Sequence, residues 1–144
     1  HAQWAESGVD ISMSATLFYA DGRTAQMSCA MNAANYRRAV IAGSQGTVET
    51  EYLNHTSNTH SHPFGYLPSQ LRVRKGTANS IPFEEIKSAT GSGFRFAAEA
   101  FADVVAKGDR AAIQRAAAAS KDIAATLDAI QASARSGKMV TVAH

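Results

Sequence analysis

From Val9 to Tyr19 the chain alternates, with Val9, Ile11, Met13, Ala15, Leu17 and Tyr19 on one side and Asp10, Ser12, Ser14 and Thr16 on the other. A period of two predicts a half-buried strand. Asp21-Gly22 follows and predicts a type I′ hairpin turn, because both residues tolerate positive φ. Ala25, Met27, Cys29 and Met31 then alternate with Thr24, Gln26 and Ser28, so the two runs should pair antiparallel. Tyr36 to Ala42 reads as a third strand, Gly43-Ser44-Gln45-Gly46 as a turn and Thr47 to Leu53 as a fourth strand. A polar loop runs from Asn54 to Ser69. Leu71 to Arg74 is a short strand ending at a Lys75-Gly76 turn, and Ile81-Pro82-Phe83 suits a sheet edge, where the missing proline N–H does little harm.

The pattern changes period at Ser92, a suitable N-cap. Phe94, Ala97, Phe101 and Val104 recur on one helical face, and Gly108 suits the position that ends a helix. A second helix is predicted from about Ala112 to Arg135, burying Ile123, Leu127, Ile130 and Ala134. Gly137 stops it, and Met139 to Val142 reads as a last strand. Strands followed by segregated helices predict an α+β fold, a predominantly antiparallel open-faced sheet with two helices packed on one face. Such a sheet leaves a polar face that is wet or covered by something else.

The chain's 144 residues suit a single domain spanning 1–144. With 14 basic against 12 acidic residues and no basic run, nothing favours nucleic acid. No apolar run approaches the length of about 18 residues that a membrane span needs. Cys29 is the single cysteine, so no internal disulfide forms; its place on the apolar side of a strand predicts a small buried side chain. The expected compartment is the cytoplasm, with the periplasm also compatible. The start, His1-Ala2-Gln3-Trp4, has no Met and no signal-peptide character, as expected of part of a longer chain.

Candidate chemistry is sparse. Gly91-Ser92-Gly93 lacks the third glycine of a dinucleotide fingerprint, and Gly43-Ser44-Gln45-Gly46 lacks the Lys-Ser/Thr of a phosphate loop. His55, His60 and His62 lie in the polar loop as a solvated segment, a substrate-edge contact or, least favoured, metal ligands, since no Cys or acid completes a set. Arg37 and Arg38 face opposite ways if in a strand. Glu99 and Asp103 share a helical face at i, i+4, and an exposed placement outweighs an acid–base pair. Ser133 and Ser136 have no His or Asp partner in register.

The strand Gly8-Val9-Asp10…Ala15-Thr16-Leu17-Phe18-Tyr19 followed by Ala20-Asp21-Gly22-Arg23-Thr24-Ala25 resembles a D-x-A…L-x-F-x-D-G-x-x-A stretch. Ile41-Ala42-Gly43-Ser44-Gln45-Gly46-Thr47-Val48 is similar to I-x-G-[ST]-x-G-x-[LV]. Phe96…Glu99-Ala100-Phe101…Gly108, then Ile130 to Val140, resembles an F…E-x-F-x…G helix followed by A-I-x-x-S-A-x-x-G-x-x-V. In this order, over about Gly8 to Val142, they resemble the C-terminal domain of the glucose–fructose oxidoreductase / inositol dehydrogenase / MocA family.

The resemblance implies a two-domain parent whose N-terminal Rossmann half binds NAD or NADP. This half would shape the pocket for a sugar, polyol or similar small molecule and form a homo-oligomer through its open sheet face. The family's Glu-Lys-Pro motif is absent here, and so is its Asp/His segment, so no catalytic or cofactor-binding residue carries over and the chain should be inactive alone. Tyr36 and the loop holding His55, His60 and His62 are the substrate-side candidates. Two other readings stand beside it: a free-standing binding or assembly module using the open sheet face, and a metal-dependent enzyme built on the histidine loop.

Overall fold

A computed structural model describes residues 1–34, 36–50, 57–58, 65–66 and 71–143. Strand β1 (Ala2–Trp4) precedes β2 (Asp10–Phe18) and β3 (Thr24–Ala30), and the three form one antiparallel sheet in that order. The first strand carries no period-two run of its own. It forms because Gly8, at φ 83°, lets the chain reverse, with Ala5 N–H donating to Val9 O and Gly8 N–H to Ala5 O.

The β2–β3 hairpin closes on a three-residue loop rather than the two-residue turn expected from Asp21-Gly22. Tyr19 N–H donates to Arg23 O at 3.0 Å, and Gly22 N–H donates to Tyr19 O at 3.0 Å. Only Gly22 in this loop has positive φ, at 86°, which fits a type I turn followed by a left-handed glycine. The Arg23 backbone N–H donates to the Asp21 carboxylate and holds its pKa below the ordinary 3.8.

Strands β4 (Ala39–Gly43) and β5 (Gly46–Thr50) form the second hairpin. Two short strands, β6 (Ser57–Asn58) and β7 (Gly65–Tyr66), pair with each other. Strands β8 (Leu71–Lys75) and β9 (Glu84–Ile86) complete a four-stranded antiparallel sheet in the order β4-β5-β8-β9. The expected α+β fold is therefore present, with its strands divided between two main open sheets. Tyr36 to Arg38 precede β4 as irregular chain, and β9 begins just after Phe83.

Register sorts the four-stranded sheet into two faces. Ile41, Val48 and Val73 align across three strands, with Leu71 and Ile86 on the same face. The opposite face carries Glu49, which accepts from Arg72 at 2.7 Å and from Arg38 at 3.5 Å. Arg72 and Arg74 also lie over the Phe83 ring, at 5.3 and 4.3 Å. Gly46 has φ 149°, and a Cβ there would run into the Arg74 carbonyl oxygen, so the β5–β8 approach requires glycine.

Helix α1 (Gly93–Ala106) is capped by Ser92, whose hydroxyl accepts from Arg95 N–H at 3.3 Å, and it ends at Gly108 with φ 62°. Helix α2 (Arg110–Ser136) stops at Gly137, φ 67°. These caps are as the sequence predicts. Met139 to Val142 form no strand.

The chain divides into two compact units, His1–Ala34 with Arg110–His144, and Asn35–Asp109. The first holds the three-stranded sheet and α2. The second holds the four-stranded sheet and α1. Among the described residues the buried apolar side chains are Met13 of β2 and Ile130 of α2, at 9% and 7% exposure. Arg135, in the last turn of α2, stacks 3.9 Å over the Trp4 ring and donates to Gly8 O at 3.1 Å, tying the helix end to the β1–β2 turn.

Two expectations about burial fail. Of the predicted helix stripes, Val104, Ile130 and Ala134 are covered, but Phe94 and Phe101 of α1 and Ile123 and Leu127 of α2 are exposed, and Phe96, outside the predicted stripe, is half-buried. Each stripe is therefore covered along only part of its length. Cys29 is exposed rather than buried.

Candidate cleft on the three-stranded sheet

Within the first unit, β2, β3, the last turns of α2 and the segment after it enclose a cleft of about 520 Å³. The antiparallel register sets its floor. Ser14 stands opposite Ser28 and Thr16 opposite Gln26; these four residues border the cleft, with their side chains on the exposed face of the sheet, opposite the covered side that carries Met13, Ala15 and Leu17. Leu17, Met27 and Ile130 supply apolar surface to the cleft.

The remaining wall comes from the end of the chain. Gly137 turns the backbone out of α2, and the Ser133 hydroxyl donates to Lys138 O at 2.7 Å. That bond fixes the direction of the following residues, and Met139, Val140 and Val142 line the cleft. Ser133 therefore positions this wall rather than acting as a nucleophile. His1 closes one end: its nitrogen donates to Ser14 O, and Ser14 N–H donates to His1 O, both at 2.9 Å.

The lining contains no Asp, Glu, Lys, Arg or Cys. Backbone and side-chain groups of Ser14, Thr16, Gln26 and Ser28 are among its neutral polar components. No carboxylate pair is among the lining residues.

The other sequence candidates fall elsewhere. Tyr36 is 79% exposed and is not among the cleft residues. His55, His60 and His62 lie outside the described residues. Glu99 pairs with Arg95 at 2.9 Å and Asp103 with Lys107 at 2.6 Å, so the two acids are separately engaged along the surface of α1. Ser136 donates to Ala132 O as an ordinary helical hydroxyl. Among the described residues no group of three His, Cys, Asp or Glu side chains could hold a metal ion, and no helix is long and apolar enough to cross a membrane.

Compared with family models, curated proteins and solved structures, the chain matches none. The functional argument therefore rests on the residues themselves. The alternation marked Ser14, Thr16, Gln26 and Ser28 as one polar set, and all four are exposed. The contribution of Met139 to Val142 was hidden, because that segment read as a strand.

Proposed function

We propose that the chain is the substrate-side and assembly portion of an NAD(P)-dependent oxidoreductase acting on a sugar, polyol or similar hydroxylated molecule. The observation that carries this reading is a cleft whose lining holds no Asp, Glu, Lys, Arg or Cys and sets Ser14, Thr16, Gln26 and Ser28 along two strands that also bring Ala15, Leu17 and Met27 to Ile130. A neutral polyol presents alternating hydroxyls and C–H surface, which suits small polar groups set against apolar side chains. The ordered resemblance from Gly8 to Val142 supplies the reaction class. No residue here is assigned to the nucleotide or to proton transfer, and those roles belong to a Rossmann half of the parent. An assembly module without chemistry is the second reading, favoured by the exposed Phe94, Phe101 and Ile41.

Backbone amide NMR tests the proposal. Titration with a neutral hexose and a neutral cyclitol should shift Ser14, Thr16, Gln26 and Ser28, and NADH should leave the spectrum unchanged. No movement at these residues with either polyol at tens of millimolar would remove the substrate-side reading.

A further inference from the structure

Strand β3 is an edge strand, and its open side is chemically unblocked. In the β2–β3 ladder, Met31 N–H donates to Ile11 O, and Arg23 O accepts from Tyr19 N–H. Odd-numbered residues of β3 therefore turn their backbone groups toward β2. The N–H and C=O groups of Thr24, Gln26, Ser28 and Ala30 turn outward. None of these outward groups has a backbone partner among the described residues. The strand, Thr-Ala-Gln-Met-Ser-Cys-Ala, contains no charge, proline or glycine, the devices by which exposed edges are kept from pairing.

We propose that β3 pairs antiparallel with β3 of a second copy of this chain, joining two three-stranded sheets across a two-fold axis at Met27. The strand is self-complementary in this register. Gln26 meets Ser28 of the second copy, Thr24 meets Ala30, and each outward N–H faces an outward C=O, giving about eight backbone hydrogen bonds. Met27 meets Met27 at a pair without backbone hydrogen bonds, where side chains approach closely. No like charges oppose one another, and a two-fold contact of one strand with itself closes, so assembly stops at the dimer through this edge. Cys29 lies opposite Ala25, about 13 Å along the strand from its own counterpart, too far for a disulfide. The inference uses an edge rather than a sheet face and does not rest on the polyol reading.

Light scattering after size exclusion, on the whole chain, tests it. The wild type should run at twice 15.2 kDa and dissociate on dilution. Gln26→Pro removes an outward N–H without touching the β2 ladder, and Met27→Lys places two ammonium groups at the axis; both should run as monomers with unchanged circular dichroism. Ile41→Lys, on the apolar face of the four-stranded sheet, should remain dimeric. A Met27→Cys, Cys29→Ala variant should oxidise to a covalent dimer, while wild-type Cys29 should not. A monomeric wild type, or a dimer that survives Gln26→Pro, overturns the proposal.

Discussion

At the residue scale, the most constrained position is Gly46. Its φ of 149° lies where side chains are rarely accepted, and the Arg74 carbonyl occupies the space a Cβ would need. Backbone cannot swing away as the end of a flexible side chain can, so an added methyl must push β5 from β8. Gly46→Ala should destabilise the protein by about 2–4 kcal/mol in denaturant unfolding. A cost within about 0.5 kcal/mol, the range of ordinary surface changes, would show that the two strands do not approach this closely. The sequence placed Gly46 in a turn for its freedom; the steric reason lies in Arg74, far along the chain.

At the element scale, local rules carried the reading well. Alternation marked β2 and β3, and Ser92, Gly108 and Gly137 marked the helix ends, because each signal acts within a few residues. Alternation also held the answer to the first hairpin. Apolar residues are odd-numbered in both strands, and only a loop with an odd number of residues, such as the three found here, puts odd opposite odd. A two-residue turn would set Met13 against Ala30 and split every apolar pair, the one-residue slip that a one-sided sheet forbids. Helix facing was less legible. Leu127 and Ile130 sit three residues apart on one apolar side of α2, yet Leu127 is 57% exposed and Ile130 is 7% exposed. Ile130→Ala should cost about 2–4 kcal/mol in denaturant unfolding. Leu127→Ala should cost less than about 1 kcal/mol, since little apolar area is lost and alanine is the better helix former. Equal costs would mean that Leu127 is covered in solution.

At the scale of the whole molecule, the difficulty is how much apolar surface stays uncovered. Each unit exposes large side chains on both its helix and its sheet: Phe18, Met27, Ile123 and Leu127 in one, Ile41, Val40, Phe94 and Phe101 in the other. Small units with so little buried are marginal, because few apolar contacts offset the entropy of ordering the chain. This was the part least legible in the sequence: periodicity shows which residues would be buried together, but not whether a covering surface exists. Anything that binds the folded state and not the unfolded one raises stability by mass action. If a second copy covers part of this surface, the midpoint of thermal unfolding must depend on protein concentration. A hundredfold increase in concentration should raise Tm by on the order of 5–10 °C, given an unfolding enthalpy near 0.7 kcal/mol per residue. Gln26→Pro should flatten that dependence, because a monomer unfolds at the same temperature at any concentration. Scanning calorimetry over that range reads both slopes, and a flat wild-type line would mean that no second copy stabilises the fold.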